Sequence, residues 1–400
     1  MTFKLGVDQL LESAELLESL QDKRCGIVAH PASITSTLQH SLDALIQNRC
    51  PITRAFGPQH GMRGDKQDNM IESDDYSDPT HHIPVISLYS EHRRPTAEML
   101  NDLDVVLYDL QDVGCRIYTY IATLKYFMEE CPKSGVELWV LDRPNPAGRP
   151  VDGLRLESGF ESFVGCDVLP TRHGLTVGEL AEWFKSSNDL NTDLTIIRMS
   201  GYAPDAKPGF GWPSDHPWIN ASPNASSVNM TRIFPGTVLV EGTELSEGRG
   251  TSTPLEVIGA PNFPTEEVLR LLENEAPDWL RGVFVRPCFF EPTFHKHKGQ
   301  LCTGIQIHTQ IPDYDHKGFV PYRLIAGCLK ALRLLQPDYS IWRGHYYEYE
   351  KDRLPIDVIN GGPNLRLWVD DPNASFTEFD HNVQRQCDAW LDERRPFLLY

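Results

Sequence analysis

Apolar runs of four to six residues recur through the first half of the chain, at 25–29, 52–56, 84–88, 105–110, 138–141 and 194–199. Between them, 7–20, 37–47, 96–103, 116–130 and 176–185 repeat their apolar positions every three to four residues, as helices do. Strand and helix in this alternation predict an α/β fold, a Rossmann-like parallel sheet flanked by helices. Thr176 with Glu179 three residues later adds a capping box at the start of the last helix.

The same pattern says where a ligand would sit. Phe56 leads into Gly-Pro-Gln-His-Gly, Leu88 into Tyr-Ser-Glu-His-Arg-Arg, Leu110 into Gln-Asp-Val-Gly-Cys-Arg and Leu141 into Asp-Arg-Pro-Asn-Pro. Each polar cluster follows the carboxyl end of a strand, where open α/β sheets bind their ligands, so the four loops are expected to share one mouth. Residues 201–229 are rich in Pro, Gly, Ser, Asn and Trp and lack periodicity, which reads as a long irregular segment. The apolar run 237–240 reads as a buried strand delivering E-G-T-E-L-S-E-G-R-G-T at 241–251. A helix at 266–273, strands at 282–289 and 300–308 and a helix at 322–335 then mark a smaller α+β auxiliary domain. At 400 residues the chain exceeds what one hydrophobic core usually serves. The expected division is 1–258 for the Rossmann-like domain and 259–400 for the auxiliary one, with an active-site cleft between them.

A formal net charge of −19 repels polyphosphates, and no cluster of Lys and Arg interleaved with aromatics offsets it, so no nucleic-acid partner is expected. The N-terminus mixes acids into its apolar residues and no run of about 18 apolar residues occurs, which predicts neither signal peptide nor membrane partner and a cytoplasmic location. Nine scattered cysteines in apolar surroundings read as reduced, buried thiols. Without C-x-x-C, H-E-x-x-H, G-x-G-x-x-G, a P-loop or G-x-S-x-G, no metal and no cofactor is expected, and no serine-hydrolase elbow. Oligomeric state leaves no mark in the sequence.

Loops crowded with carboxylates, arginines, tyrosines and amides suit a small-molecule ligand rich in hydroxyls and carrying a carboxylate. Glu241 and Glu247 are the leading catalytic acids, because burial at a strand end raises a carboxyl's pKa and lets it hold the proton that glycoside cleavage requires. A structural ion pair with Arg249 is the competing reading. Asp109 is the third catalytic candidate; it and the following Gln111, Asp112 and Arg116 either orient a histidine or substrate hydroxyls, or cap the next helix. His60 and His173 each precede a glycine in a polar loop, where a histidine can bind substrate or move a proton. Arg63, Arg93, Arg143 and Arg172 would give an acidic protein a local positive pocket. Of Tyr118 and Tyr120, two apart, one is expected in the core and one at the mouth. Trp212, Trp218 and Asn220, with Ser222 and Asn224, form either a sugar-stacking wall or the packing of a long loop.

Taken in order, these stretches resemble one known family, the peptidoglycan exo-β-N-acetylmuramidases, a NamZ or YbbC-like group long carried as a domain of unknown function. The stretches are F-G-P-x-H-G at 56–61, R-G-D at 63–65, S-L-Y at 87–89, R-P-T at 94–96, D-L-Q-D-V-G at 109–114, Y-T-Y at 118–120, L-D-R-P-N-P at 141–146, R-H-G-L-T-x-G-E-L at 172–180, S-P-N at 222–224 and E-G-T-x-L-S-E-G-R-G-T at 241–251. The resemblance implies a glycoside hydrolase that releases terminal N-acetylmuramic acid from the non-reducing end of peptidoglycan fragments, in cell-wall recycling. It adds Tyr89 and Asn145 to the expected substrate-binding residues, beside Gln59. Many members of the family carry glutamate in F-G-P-E-H-G as an expected catalytic acid, whereas this chain has Gln59, an amide that can neither give nor take the catalytic proton. On this reading Glu241 or Glu247 works with the substrate's own acetamido group. The alternatives are a non-catalytic or altered-activity muropeptide-binding protein and a different transferase or hydrolase on the same scaffold.

Overall fold

The computed structural model describes residues 2–64, 71–348 and 350–400; Asp65 of the R-G-D stretch lies outside them. Strands β1 (Cys25–Val28), β2 (Ile52–Gly57), β3 (Tyr76–Ser77), β4 (Pro84–Ser87), β5 (Val105–Tyr108) and β6 (Glu137–Leu141) are followed by a hairpin of β7 (Asp152–Arg155) and β8 (Pro170–Arg172), then by β9 (Leu194–Ile197). Seven of them form one sheet in the order β3-β4-β2-β1-β5-β6-β9, parallel except for the short β3–β4 pair.

Side chains alternate across this sheet, and both faces are buried. Val28, Phe56, Val106, Leu138 and Val140 pack on one side; Ile27, Ala55, Val105, Leu107 and Leu141 pack on the other, against Leu5, Leu10 and Leu45 of the N-terminal segments. The six expected strands are therefore present, four of them trimmed at an end and two, Ile52–Gly57 and Glu137–Leu141, one residue longer than expected. Thr176 does cap the helix Val177–Ser187, its hydroxyl accepting from the Glu179 amide while Glu179 accepts from the Thr176 amide at 2.8 Å.

Three local expectations are corrected. The helix over 7–20 is two helices, Gly6–Glu12 and Ala14–Leu20, because Ser13 is extended (φ −94°, ψ 106°) and its hydroxyl accepts from the Leu16 amide as the cap of the second. The helix expected from 116 begins at Tyr120, so neither Asp109 nor its neighbours cap it. The apolar run before Glu241 is not a strand: the helix Val228–Thr237 runs on into a 3-10 turn, Val238–Gly242. Val238, Leu239 and Val240 are buried all round, and a short run of that kind has no period by which strand and helix can be told apart.

The second sheet is antiparallel, β10 (Val257–Ala260), β12 (Cys302–His308) and β11 (Phe284–Phe290) in that order, with the helices Thr265–Glu275 and Pro321–Leu335 beside it. One apolar cluster runs without a break from Val28 to Trp390, joining the second sheet to one face of the first. The helix Phe376–Arg394 returns to the first half of the chain, where Trp390 and Arg394 both donate to the His173 carbonyl, at 2.8 and 2.9 Å. All nine cysteines are buried as free thiols. Among the described residues no helix is long and apolar enough to cross a membrane.

Candidate active site

Loops from the carboxyl ends of β2 and β5 meet the Val228–Gly242 segment and the turn at Tyr347 around one narrow pocket. Its lining includes Gln59, His60, Tyr118, Asn224, Glu241, Arg249 and Glu348. After β2 the chain reverses sharply, with His60 (φ 71°) and Gly61 (φ 74°) both left-handed, and this turns the Gln59 side chain inward. Free space between these groups is about 50 Å³, enough for the reacting atoms of a substrate whose bulk rests at the mouth.

Three glutamates near this pocket are chemically distinct. Glu241, on the 3-10 turn, accepts from Arg249 Nη2 at 2.7 Å and from the Tyr347 hydroxyl at 2.8 Å. Glu247 is wholly buried against two cations, Lys296 Nζ at 2.8 Å and Arg249 Nε at 3.0 Å, with the His295 ring, whose pKa burial lowers, at 3.5 Å. Burial pushes its carboxyl up, but Lys296, Arg249 and His295 outweigh that and hold it at about 2. Glu247 is thus set as an ion-paired carboxylate, surroundings that favour its charged form over the acid expected of it.

Glu348 is the opposite case, and no motif in the sequence marked it. Tyr89 donates its hydroxyl to Oε2 at 2.9 Å and Gln59 donates Nε2 to Oε1 at 3.2 Å. Thr119 Oγ1 in turn donates to Gln59 Oε1 at 2.7 Å, which fixes the amide with its NH2 toward Glu348. Burial raises the Glu348 carboxyl to about 7; nearby Glu241 adds to the rise, while Tyr89, Gln59 and Arg93 oppose it. In the sequence the one visible sign is an acid framed by tyrosines in Y-Y-E-Y-E at 346–350, without glycines or periodicity to flag it.

The expected site residues divide between pocket and scaffold. Gln59, His60, Tyr118, Asn224, Glu241 and Arg249 line the pocket, with Tyr89 directly behind Glu348 and Arg93 stacked 5.0 Å over the Tyr89 ring. Tyr120, the first residue of the helix, borders it from the core, 2% exposed, while Tyr118 in the turn before it is only partly buried, their rings 4.7 Å apart. Asp109 does not reach it: both its oxygens are bound by Arg143, at 2.6 and 2.9 Å, and neither side chain is exposed. Gln111 donates to the Asp112 and Pro144 carbonyls, and Asn145 to those of Gly148 and Leu175. Arg116 spans four carbonyls, of Leu154, Leu169, Ile359 and Asn360, and Arg172 binds those of Ala147 and Phe319. His173 Nε2 lies 3.6 Å from Asp112, both buried. Arg63 is exposed, stacked 4.1 Å over Tyr76, and Asn220 is exposed too. Among the described residues none of the four expected arginines lines the pocket: Arg93 stands behind it over Tyr89, and the lining guanidinium is Arg249, which is spent on Glu241 and Glu247, as buried arginines must spend their donors on the backbone or a carboxylate.

Trp212 and Trp218 pack edge to face, 4.9 Å apart, and line a different cavity of about 510 Å³. Val228 and Arg232 of the helix Val228–Thr237 face that cavity, whereas Met230 and Phe234 face the acid pocket. Among the described residues no group of three or more His, Cys, Asp and Glu is placed to hold a metal ion.

Sequence families described as "Exo-beta-N-acetylmuramidase NamZ, N-terminal" and "Exo-beta-N-acetylmuramidase NamZ, C-terminal" match residues 25–229 and 232–400. The chain belongs to this family. It is 39% identical over 397 residues to the "Peptidoglycan beta-N-acetylmuramidase NamZ" of Bacillus subtilis (strain 168), spanning 99% of this chain and 91% of that relative. The crystal structure of a DUF1343 family protein from Bacteroides fragilis NCTC 9343 aligns with a TM-score of 0.86 at 27% identity, over 100% of this chain and 99% of that one. A second DUF1343 family protein of the same strain, at 24% identity and a TM-score of 0.76, shares the fold. The exo-β-N-acetylmuramidase family thus spans both sheets, and the acid pocket lies where segments of both family halves meet.

Proposed function

We propose that this chain is an exo-acting glycosidase that releases terminal N-acetylmuramic acid from the non-reducing end of peptidoglycan fragments, with the reaction in the pocket between Gln59 and Glu241. One observation carries the chemistry: two carboxyl groups line that pocket in contrasting surroundings, Glu241 ion-paired to Arg249 and Glu348 bonded only by neutral donors. Opposed environments of this kind divide a pair of carboxyls into an anion and an acid. Glycoside cleavage passes through an oxocarbenium-like state at C1, which a held carboxylate stabilises. We assign that role to Glu241, either directly at C1 or by orienting the substrate's acetamido group. His60 in the lining, with Arg93 over Tyr89 behind it, suits the lactyl carboxylate that distinguishes muramic acid from glucosamine. Small fragments rather than intact polymer match the narrow free space.

The reading is tested with 4-nitrophenyl N-acetylmuramide and the matching N-acetylglucosaminide. Release of nitrophenol from the first and not the second is expected. Release from neither, with muropeptide binding measurable by calorimetry, would replace the enzyme by a binding protein.

A further inference from the structure

We propose that Glu348 is the catalytic acid, the group that protonates the departing glycosidic oxygen, and that Gln59 and Tyr89 are the residues that position it. The inference rests on the glycosidase reading above and deepens it.

Three observations carry it. The first is placement: Glu348 lines the same pocket as Glu241, and Tyr347 beside it donates to Glu241, so one turn reaches both carboxyls. The second is the company it keeps. Glu348 is 5% exposed and its two hydrogen bonds come from a phenol and an amide, while the equally buried Glu247 is met by lysine, arginine and histidine. A buried carboxyl bonded only by neutral groups keeps its proton far more readily than one among cations. The third is the amide itself. Thr119 turns Gln59 so that its NH2 faces Glu348. That donor orients the Glu348 carboxyl in the pocket; it favours the ionised form, so the role of Gln59 is positioning, not protonation.

In the step proposed, the Glu348 proton goes to the glycosidic oxygen as the C1–O bond breaks, and the bond's electron pair stays on that oxygen, so the aglycone leaves as an alcohol. Water supplies the hydroxyl to C1, and a proton from that water, directly or through solvent, restores Glu348. Among the described residues the charged and titratable groups facing Glu348 are Glu241, Arg93, Tyr89, His60 and Tyr347, with Arg249 behind Glu241.

The deciding experiment uses leaving groups of different basicity. Nitrophenolate departs without a proton, whereas the sugar alcohol of an N-acetylmuramyl-N-acetylglucosamine disaccharide needs one. Glu348→Gln is expected to keep kcat/KM on the nitrophenyl muramide within about tenfold and to lose roughly 10²- to 10⁴-fold on the disaccharide, the usual worth of a general acid. Equal losses on both substrates, or none on the disaccharide, would overturn the role of Glu348 while leaving the glycosidase reading intact. A wild-type protein inactive on both would remove that reading and this role together. Tyr89→Phe gives a second measure, because it removes a donor that favours the ionised carboxyl. It should move the alkaline limb of kcat on the disaccharide to higher pH, and an unmoved limb would contradict the assignment.

Discussion

Glutamates at 241, 247 and 348 share one side chain and part company through what surrounds them. Glu247 lies against Lys296, Arg249 and His295, Glu241 accepts from Arg249 and Tyr347 among its partners, and Glu348 accepts from Tyr89 and Gln59. Glu247→Gln strips a buried cation cluster of its counter-charge, and a loss of about 3–5 kcal/mol in urea unfolding is expected. A loss under about 1 kcal/mol would show that Lys296 and Arg249 are stabilised some other way. Glu348 also links folding to pH. Its carboxyl rises from the ordinary 4.5 to about 7 on folding, so the folded state holds the proton more tightly than the unfolded chain. That contribution is complete below pH 4.5 and disappears as pH climbs through 7. Wild type should therefore lose on the order of 3 kcal/mol relative to Glu348→Gln between pH 4 and pH 8, read from denaturation midpoints at the two values. The same difference at both pH values would mean the carboxyl is not raised.

Among the elements, regular strands and helices were the legible part, and the segments that build the pocket were not. Short apolar runs between segments of period three to four put every strand of the parallel core within a few residues of its place, because both faces of that sheet are apolar. The 109–119 stretch reads as a capped helix start, yet it is irregular: Arg116 holds it to four carbonyls from distant segments, and Asp112 accepts from the Gly114 amide at 2.6 Å. Gly114 (φ 78°) has no room for a side chain, since a Cβ there would meet the Asn145 oxygen at 2.1 Å. Arg116→Met takes the guanidinium donors from those carbonyls, of which Leu169 keeps the Leu156 amide, and a loss of about 3 kcal/mol is expected in chemical denaturation. Thr176→Ala, which removes the cap and the hydroxyl's bond to Asp142 at 2.9 Å, should cost about 1–2 kcal/mol, with Thr176→Ser recovering most of it. If Arg116→Met costs no more than Thr176→Ala, the guanidinium is not what holds the loop.

For the whole molecule the two sheets stand or fall together. Their shared apolar cluster and the returning helix Phe376–Arg394 tie residues near the C-terminus to His173 and Gly174, and the Tyr400 hydroxyl donates to Asp142 at 2.8 Å. A chain ending at residue 375 should therefore lose cooperative unfolding by calorimetry, and a sharp transition in that fragment would contradict the tie. Free thiols report on the same core: 5,5′-dithiobis(2-nitrobenzoic acid) should modify few of the nine cysteines in the native protein and all nine in guanidinium.

By itself the sequence determined the parallel sheet, the side on which its polar loops gather, and the set of residue types available for chemistry there, because strand periodicity and turn chemistry are local properties. Tertiary structure alone decided which carboxyl holds a proton. That depends on desolvation and on neighbours brought together from far along the chain, and Gln59 meets Glu348 across 289 positions.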